Sequence, residues 1–148
     1  MKVVYPVIFT ETETNILIEV PDLNILTEAN QEGKRKGSLA DAVGMARDAI
    51  GLKCISMEDE GVEMINASNF SDVNICNSVF FEEGKTFVSI VDVDLVAYQQ
   101  KNDMKMVRRN VTLPNWLNKE AEAAHINVSR VLQEALMSKL NISKSWPY

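Results

Sequence analysis

The chain has 148 residues, of which 46% are hydrophobic, and its formal net charge is −6 at pH 7. This composition is typical of a globular protein and excludes wholesale disorder, while the length allows one ordinary domain or two small ones. No apolar run approaches the roughly 20 residues that a membrane-spanning helix needs, and the N-terminus does not resemble a signal peptide. Only Cys54 and Cys76 are available for a disulfide, so free thiols in the cytoplasm are the simplest interpretation.

The first part of the chain predicts three strands. Apolar residues alternate along Val3–Phe9, as in a strand with one buried face, and the polar run Thr10–Asn15 is typical of a hairpin connection. A second strand is expected over Ile16–Val20 and a short third one over Ile25–Thr27. Together with the helix predicted after them, these strands predict a mixed α+β fold for this half of the chain.

One helix and one further strand follow. Ser38 is placed to cap a helix with apolar residues at helical spacing, and Cys54–Met57 continues the same pattern. Asn66–Asn77 is rich in Ser and Asn, which favours a loop. Thr86–Asp94 predicts another strand, and the polar stretch Tyr98–Met104 is interpreted as a linker between domains.

A short strand with one polar face is predicted immediately before Pro114. Side chains on a strand alternate, so Arg108, Asn110 and Thr112 share one face. Two such strands paired antiparallel form a ribbon that the major groove of DNA admits, and Arg, Asn and Thr can all bond base edges there. An edge strand with a solvated polar face has the same pattern, so the alternation alone leaves both interpretations open.

Two amphipathic helices are predicted after this strand. Pro114 suits the entry to the first helix, and His125 lies where that helix stops, as a left-handed C-cap. Asn127 is a good N-cap for the second helix, whose free N–H groups can bind a phosphate together with the Ser129 hydroxyl. These elements are too small to bury their apolar faces alone, so the segment needs a second copy of itself.

The charge differs between the two parts of the chain. Residues 101–148 contain eight cations and four anions, a net charge of +4, whereas residues 1–100 contain seven cations and seventeen anions, a net charge of −10. A basic piece that dimerises doubles its local positive charge, which favours phosphate contact. The acidic piece is expected to repel DNA and to attract a basic partner.

The C-terminal segment resembles the C-terminal ribbon-helix-helix domain of the HicB antitoxins. The features that carry the resemblance are a polar alternating strand, Leu-Pro, a helix, Ile-Asn-Val-Ser and a second helix, in NVTLPNWLNKEAEAAHINVSRVLQEAL. The resemblance implies base contacts from Arg108, Asn110 and Thr112, and phosphate contacts from Asn127, Val128 and Ser129. One departure is His125, which stands where many relatives have a glycine that closes the first helix.

The N-terminal part resembles the small, incomplete RNase H-like domain of the same family. The matching features are the strand YPVIF, a second strand that ends in VPDL, and a helix that begins with SLADA. Relatives usually have a Gly-Cys pair just after PDL, where this chain has Asn24 and Ile25.

This resemblance implies an antitoxin of a type II toxin–antitoxin system, not an enzyme, without a cofactor, a metal or a membrane partner. Residues 1–97 would bind and neutralise a HicA-type toxin, a small basic protein that cleaves mRNA, and Asp22 is expected to form part of that contact. Residues 98–104 would be the linker. Residues 105–143 would form a homodimer that binds operator DNA and represses the operon.

Two other functions remain open from the residues. A nuclease of the RNase H kind needs several carboxylates around two metal ions. The candidates for that role are Glu11, Glu13, Glu19, Asp22, Glu28, Asp92 and Asp94. The alternative is a ligand-sensing ribbon-helix-helix repressor without a toxin partner, whose N-terminal domain would bind a small molecule.

Overall fold

The computed structural model describes residues 1–30, 35–102 and 106–142. The chain divides into two compact units, Met1–Asp103 and Met104–Tyr148. The first unit contains a sheet and two α-helices and the second contains two further α-helices within the described ranges, so the fold is the mixed α+β fold that the sequence predicts. No helix in these ranges combines the length and the apolar character that crossing a membrane requires.

A four-stranded antiparallel sheet forms the framework of the first unit. Its strands are β1, Lys2–Glu11; β2, Ile16–Val20; β3, Ile25–Glu28; and β4, Lys85–Asp94. Their order across the sheet is β3-β2-β1-β4. The predicted hairpin is present between β1 and β2, and β1 pairs with β4 from Lys2, opposite Asp94, to Glu11, opposite Lys85.

One face of the sheet packs against α1, Leu39–Asp59. The predicted start of this helix is confirmed, because the Ser38 side chain accepts a bond from the Asp41 N–H and the Asp41 carboxylate accepts one from the Ser38 N–H. Cys54 and Met57 are buried against the sheet, so the helix continues through them. The core of this layer is completed by Tyr5, Val7, Phe9, Ile18, Val20, Leu23, Ala42, Ala46, Ile50, Val91 and Val93.

Residues 62–84, here named the covering segment, run from the end of α1, where Met64 packs on the core and the Ile65 carbonyl accepts a hydrogen bond from Tyr5, to the second face of the sheet, which residues 75–84 cover. The segment has no α-helix or strand and contains three short 3-10 turns, Phe70–Asp72, Ile75–Asn77 and Phe81–Glu83. It leaves Ile8 and Thr10 of β1 almost without solvent contact on this face. The loop that the sequence predicts over Asn66–Asn77 is thus present, as an ordered layer of the fold.

The stretch 98–102, predicted as part of a linker, belongs to the helix α2, Leu95–Asn102. The Asp94 carboxylate accepts bonds from the N–H groups of Val96 and Ala97, which starts the helix. The Tyr98 ring packs on the core so closely that a Cβ on Gly51 would approach it within 2.9 Å. This burial stabilises a helix that the polar sequence did not reveal; residues 103–105 lie outside the described ranges.

The second unit contains two short helices within its described residues. They are α3, Asn115–Ala123, and α4, Val128–Lys139. The residues before them, 106–114, have no regular secondary structure. Residue 143, the last of the predicted DNA-binding domain, lies outside the described ranges.

Candidate functional site

The predicted base-reading residues lie in an exposed stretch at the start of the second unit. The side chains of Arg108, Asn110 and Thr112 are all exposed, and residues 106–114 do not form the predicted strand within the single chain. A strand requires a neighbouring strand as its hydrogen-bonding partner, and none occurs among residues 106–142. The backbone groups of this stretch are therefore left to water or to a second chain.

The first helix of this unit ends in a left-handed residue, as predicted. His125 has a φ of 58°, and its N–H donates to the Glu122 carbonyl at 3.1 Å. The N–H of Ile126 donates to the Ala121 carbonyl at 3.0 Å. These two bonds form a Schellman motif, which closes a helix and turns the chain away from it. The prediction that His125 is a C-cap residue is confirmed.

The start of α4 brings together the three residues predicted to contact phosphate. The Asn127 side-chain oxygen accepts a bond from the Arg130 N–H at 3.1 Å, which confirms the predicted N-cap. The N–H groups of Val128 and Ser129 have no acceptor among the described residues. Because the N-terminus of a helix also carries the positive end of its dipole, these two groups can bind a phosphate oxygen.

Those three residues and the base-reading stretch are not joined by direct contacts. No hydrogen bond or ion pair within residues 106–142 connects the start of α4 to Arg108, Asn110 or Thr112. The Arg130 guanidinium instead pairs with Glu134 one turn along the same helix, at 3.5 Å. This pair is exposed and contributes little stability, so Arg130 can exchange it for a phosphate at small cost.

The described part of the second unit has no buried residue. Every side chain in residues 106–142 is exposed or only partly covered. The exposed large apolar side chains are Met106, Val107, Val111, Trp116, Leu117, Ile126, Val131, Leu136 and Leu140. Soluble units rarely leave so much of their apolar surface in water. Residues 106–142 therefore form no buried core of their own.

In the first unit, Asp22 holds the covering segment in place. The Asp22 carboxylate accepts bonds from the backbone N–H of Ser68 at 2.9 Å and from the Ser68 hydroxyl. Both carboxylate oxygens are therefore engaged within the unit. The structure gives Asp22 a role in positioning a loop, and its predicted contact with a toxin stays a prediction.

Most of the other candidate carboxylates also have partners. Glu11 bonds Lys36, Glu19 bonds Ser78, Glu28 bonds Asn15, Asp92 bonds Arg47, and Asp94 caps α2. Hydrogen bonds from Lys36 and Arg47 lower the pKa of Glu11 and of Asp92, respectively, below the usual values. Within the described ranges no group of three or more His, Cys, Asp or Glu side chains is arranged to hold a metal ion.

Two tyrosines of the first unit are shielded from water. Burial, reinforced by the nearby Cys54 thiol, raises the pKa of Tyr5 to about 12, and its hydroxyl donates to the Ile65 carbonyl. Burial also raises the pKa of Tyr98 to about 12, and Asp48 contributes to the increase. The Asp48 carboxylate accepts a hydrogen bond from the Tyr98 hydroxyl at 3.0 Å. Both hydroxyls join elements that are far apart in sequence.

Two open cavities lie on the first unit. One of about 610 Å³ is lined by the β1–β2 hairpin, Lys36 and Gly84. The other, of about 520 Å³, is lined by α1, β4 and α2, including Arg47, Asp92 and Tyr98. Both are rich in charged groups, whereas pockets for small organic ligands are mostly apolar with few polar groups.

The covering segment carries exposed residues that the sequence analysis missed. Val79 and Phe81 are exposed, and from position 54 to position 84 the chain has seven acidic residues and no basic one. This absence of cations between Lys53 and Lys85 is readable in the sequence. The location of Val79 and Phe81 on the second face of the sheet is not, because it depends on how the segment folds.

Comparison with known proteins reveals a similar fold. No protein-family model and no curated protein sequence matches the chain. A chain of a solved toxin–antitoxin complex from Streptococcus pneumoniae is 21% identical to it, with a TM-score of 0.56, and the match covers 94% of this chain and 99% of that chain. The likeness shows that the two chains share a fold over nearly their whole lengths.

Proposed function

We propose that the chain is the antitoxin of a type II toxin–antitoxin system of the HicB kind. Its first unit, a partial RNase H-like domain, binds and neutralises a HicA-type toxin that cleaves mRNA. Its second unit forms a ribbon-helix-helix homodimer that binds the operator of its own operon and represses it. In this proposal the chain itself performs no catalysis.

The observation that carries the proposal is the fold likeness along the whole chain. The similar chain comes from a toxin–antitoxin complex, and the match includes 94% of the present chain, so it extends beyond either unit alone. A small sheet domain followed by a two-helix unit is the architecture that the resemblance to HicB implies. Fold alone does not determine function, so the sites must supply the remaining support.

The second unit supports the DNA-binding part of the proposal. Its described residues bury no side chain, and a two-stranded ribbon formed by residues 106–113 of two copies would place those apolar side chains in a shared core. The polar face of that ribbon would present Arg108, Asn110 and Thr112 to base edges. The free N–H groups at the start of α4 would bind the adjacent phosphates.

The first unit supports the toxin-binding part. Residues 1–100 have a net charge of −10, and a protein that binds RNA presents a basic surface. Opposite charges on the two proteins accelerate their association and select against wrong partners. Covering the toxin's RNA-binding surface with an acidic domain would also exclude its RNA substrate.

The test of the DNA-binding part compares two adjacent arginines. Arg108→Ala is expected to weaken binding to the promoter DNA of the chain's own operon roughly tenfold to a hundredfold, because a bidentate base contact is worth about 1–3 kcal/mol. Arg109→Ala removes the same charge from the opposite face of the predicted strand and is the matched control. Electrophoretic mobility-shift titration measures both affinities at one salt concentration.

The outcome separates the two units. Arg108→Ala should leave neutralisation of the toxin intact, as measured by growth when antitoxin and toxin are co-expressed. Equal affinity losses for the two arginine variants would contradict the assignment of the reading face. A chain that represses its promoter but does not neutralise the small protein encoded beside it would instead be the ligand-sensing repressor.

A further inference from the structure

We infer that the toxin docks on the second face of the sheet, on an apolar strip that crosses it from one edge to the other. This inference rests on the proposed function and names the surface through which that function acts. The strip consists of Leu26 on β3, Val79 and Phe81 on the covering segment, and Val4 and Ile90 on β1 and β4. Its five side chains are between 39% and 66% exposed.

The register of the sheet places the strand residues of the strip on one face. Ile8 of β1 lies opposite Glu19 of β2, which lies opposite Leu26 of β3. Pro6 lies opposite Ile90 of β4. Directly opposed side chains share a face, and so do side chains two positions apart on one strand. Leu26 and Ile90 therefore occupy the same face, near its two edges, and Val4 joins them there.

Residues 75–84 of the covering segment pack on the centre of the same face. The Glu19 carboxylate accepts bonds from the Ser78 hydroxyl at 2.6 Å and from the Val79 N–H at 3.3 Å. Because Glu19 and Leu26 are cross-strand neighbours, Val79 lies on the part of the face that carries Leu26. The 3-10 turn that contains Phe81 packs on β1 and β4. Phe81 therefore extends the strip toward Ile90.

The strip is held in a fixed conformation before any partner binds. Three side chains of the sheet layer hold the covering segment: Tyr5 through the Ile65 carbonyl, Asp22 through Ser68 and Glu19 through Ser78. At its end the chain passes so close to β1 that a Cβ on Gly84 would lie 2.1 Å from the Glu11 carbonyl oxygen. Order of this kind lowers the conformational entropy that binding costs.

The charge around the strip selects a basic partner. Glu82 and Glu83 follow Phe81 directly and are exposed, whereas Glu58, Asp59, Glu60 and Glu63 lie at the end of α1, which packs on the other face of the sheet. A second copy of this acidic unit, or a nucleic acid, would bring like charges together, which disfavours both. A basic protein with an apolar centre matches the strip and its acidic surroundings.

The inference gives Asp22 and the strip different roles. Asp22 lies at the end of β2 with both carboxylate oxygens bonded to Ser68, so it positions the covering segment. The exposed side chains of Val79 and Phe81 would make the contact itself. Substitution of Asp22 would then weaken toxin binding only through the position of the segment.

The test uses exposed apolar residues on different surfaces. Val79→Lys and Phe81→Lys each place a positive charge in the strip, and Leu52→Lys makes the same type of change on α1, where Leu52 is 62% exposed against 66% for Val79. The full-length chain is titrated by calorimetry with the small basic protein encoded beside its gene, with the toxin's catalytic histidine replaced. Circular dichroism verifies that each variant is folded.

We expect Val79→Lys and Phe81→Lys to weaken binding at least about tenfold, because buried central contacts carry most of the affinity of an interface. Leu52→Lys should change it by less than about twofold. The docking surface is wrong if the wild type binds and the strip variants bind equally well, or if Leu52→Lys weakens binding as much as they do. Either result leaves the proposed function standing. No binding by the wild type overturns the proposed function itself.

Charge and self-association provide two further readouts. The double substitution E82Q/E83Q should slow association and reduce its salt dependence, whereas E120Q/E122Q removes the same charge from the second unit and should do neither. Equal effects of the two double substitutions would count against Glu82 and Glu83 as the residues that steer association.

If Val79→Lys instead lowers the mass of the chain's own oligomer in sedimentation, the occupant of the strip is a second copy and the inference is wrong.

Discussion

The two units of this chain solve the burial of apolar side chains in different ways. The first unit places Tyr5, Phe9 and Ile18 between a sheet and a helix, where they are at most 2% exposed. The second has helices with well-formed caps but buries none of its described side chains. Local helix signals and a core are thus separate requirements, and among the described residues only those of the first unit meet both.

The difference predicts that the two units unfold independently and respond differently to dilution. Calorimetry of the full-length chain should resolve two transitions, and tenfold dilution should lower the midpoint of the second unit only, because the stability of the proposed dimer would depend on association. Phe9→Ala should destabilise the first unit by about 3–5 kcal/mol, since Phe9 is 1% exposed and stacks on Phe87. A single transition that dilution leaves unchanged would contradict the comparison.

Substitutions of the two helix N-caps compare the units through smaller changes in stability. Ser38→Ala and Asn127→Ala each remove a side-chain acceptor from a helix N-terminus, and each should cost about 1 kcal/mol. Ser38→Ala should lower the midpoint of the first transition and Asn127→Ala that of the second. Asn127→Ala should also weaken operator binding, as read by mobility shift, whereas Ser38→Ala should not. If Asn127→Ala affects only the first transition, the assignment of the transitions is wrong.

High pH should affect the first unit through its tyrosines. Because the pKa of Tyr98 is about 12 in the folded chain against an ordinary value near 10, the unfolded chain releases this proton first as pH rises. The resulting stability is fully present below about pH 10 and is lost as pH approaches 12. Tyr98→Phe should reduce this loss, measured by denaturant unfolding at several pH values. If the unfolding free energy of Tyr98→Phe depends on pH in the same way as that of the wild type, the prediction is wrong.

The expectations that succeeded depend on residues close together in sequence. The strand Ile16–Val20 has the predicted bounds, and Ser38, His125 and Asn127 all act as the predicted caps. A cap is decided by a side chain and a backbone group three residues apart or by the φ angle of one residue. Such geometry can be read from a short window of sequence.

The features that the sequence did not reveal depend on contacts between distant parts of the chain. The stretch 98–102 is helical because Tyr98 reaches the core and Asp48, a contact across fifty positions. Residues 106–113 form no strand in the single chain because a strand needs a neighbouring strand, and the predicted pairing with a second copy stays a prediction. The candidate docking strip was not predicted because the register of the sheet and the folded covering segment bring its residues together.

The sequence by itself determined the alternation of the strands, the starts of α1 and α4, the end of α3 and the division of charge between the two parts, because these follow from local geometry and composition. Only the tertiary structure decided where the covering segment lies and which carboxylates are already bonded. Ser68 and Ser78 are 46 and 59 positions from their partners Asp22 and Glu19. Pairing over such distances follows from packing of the whole unit, which no local pattern encodes.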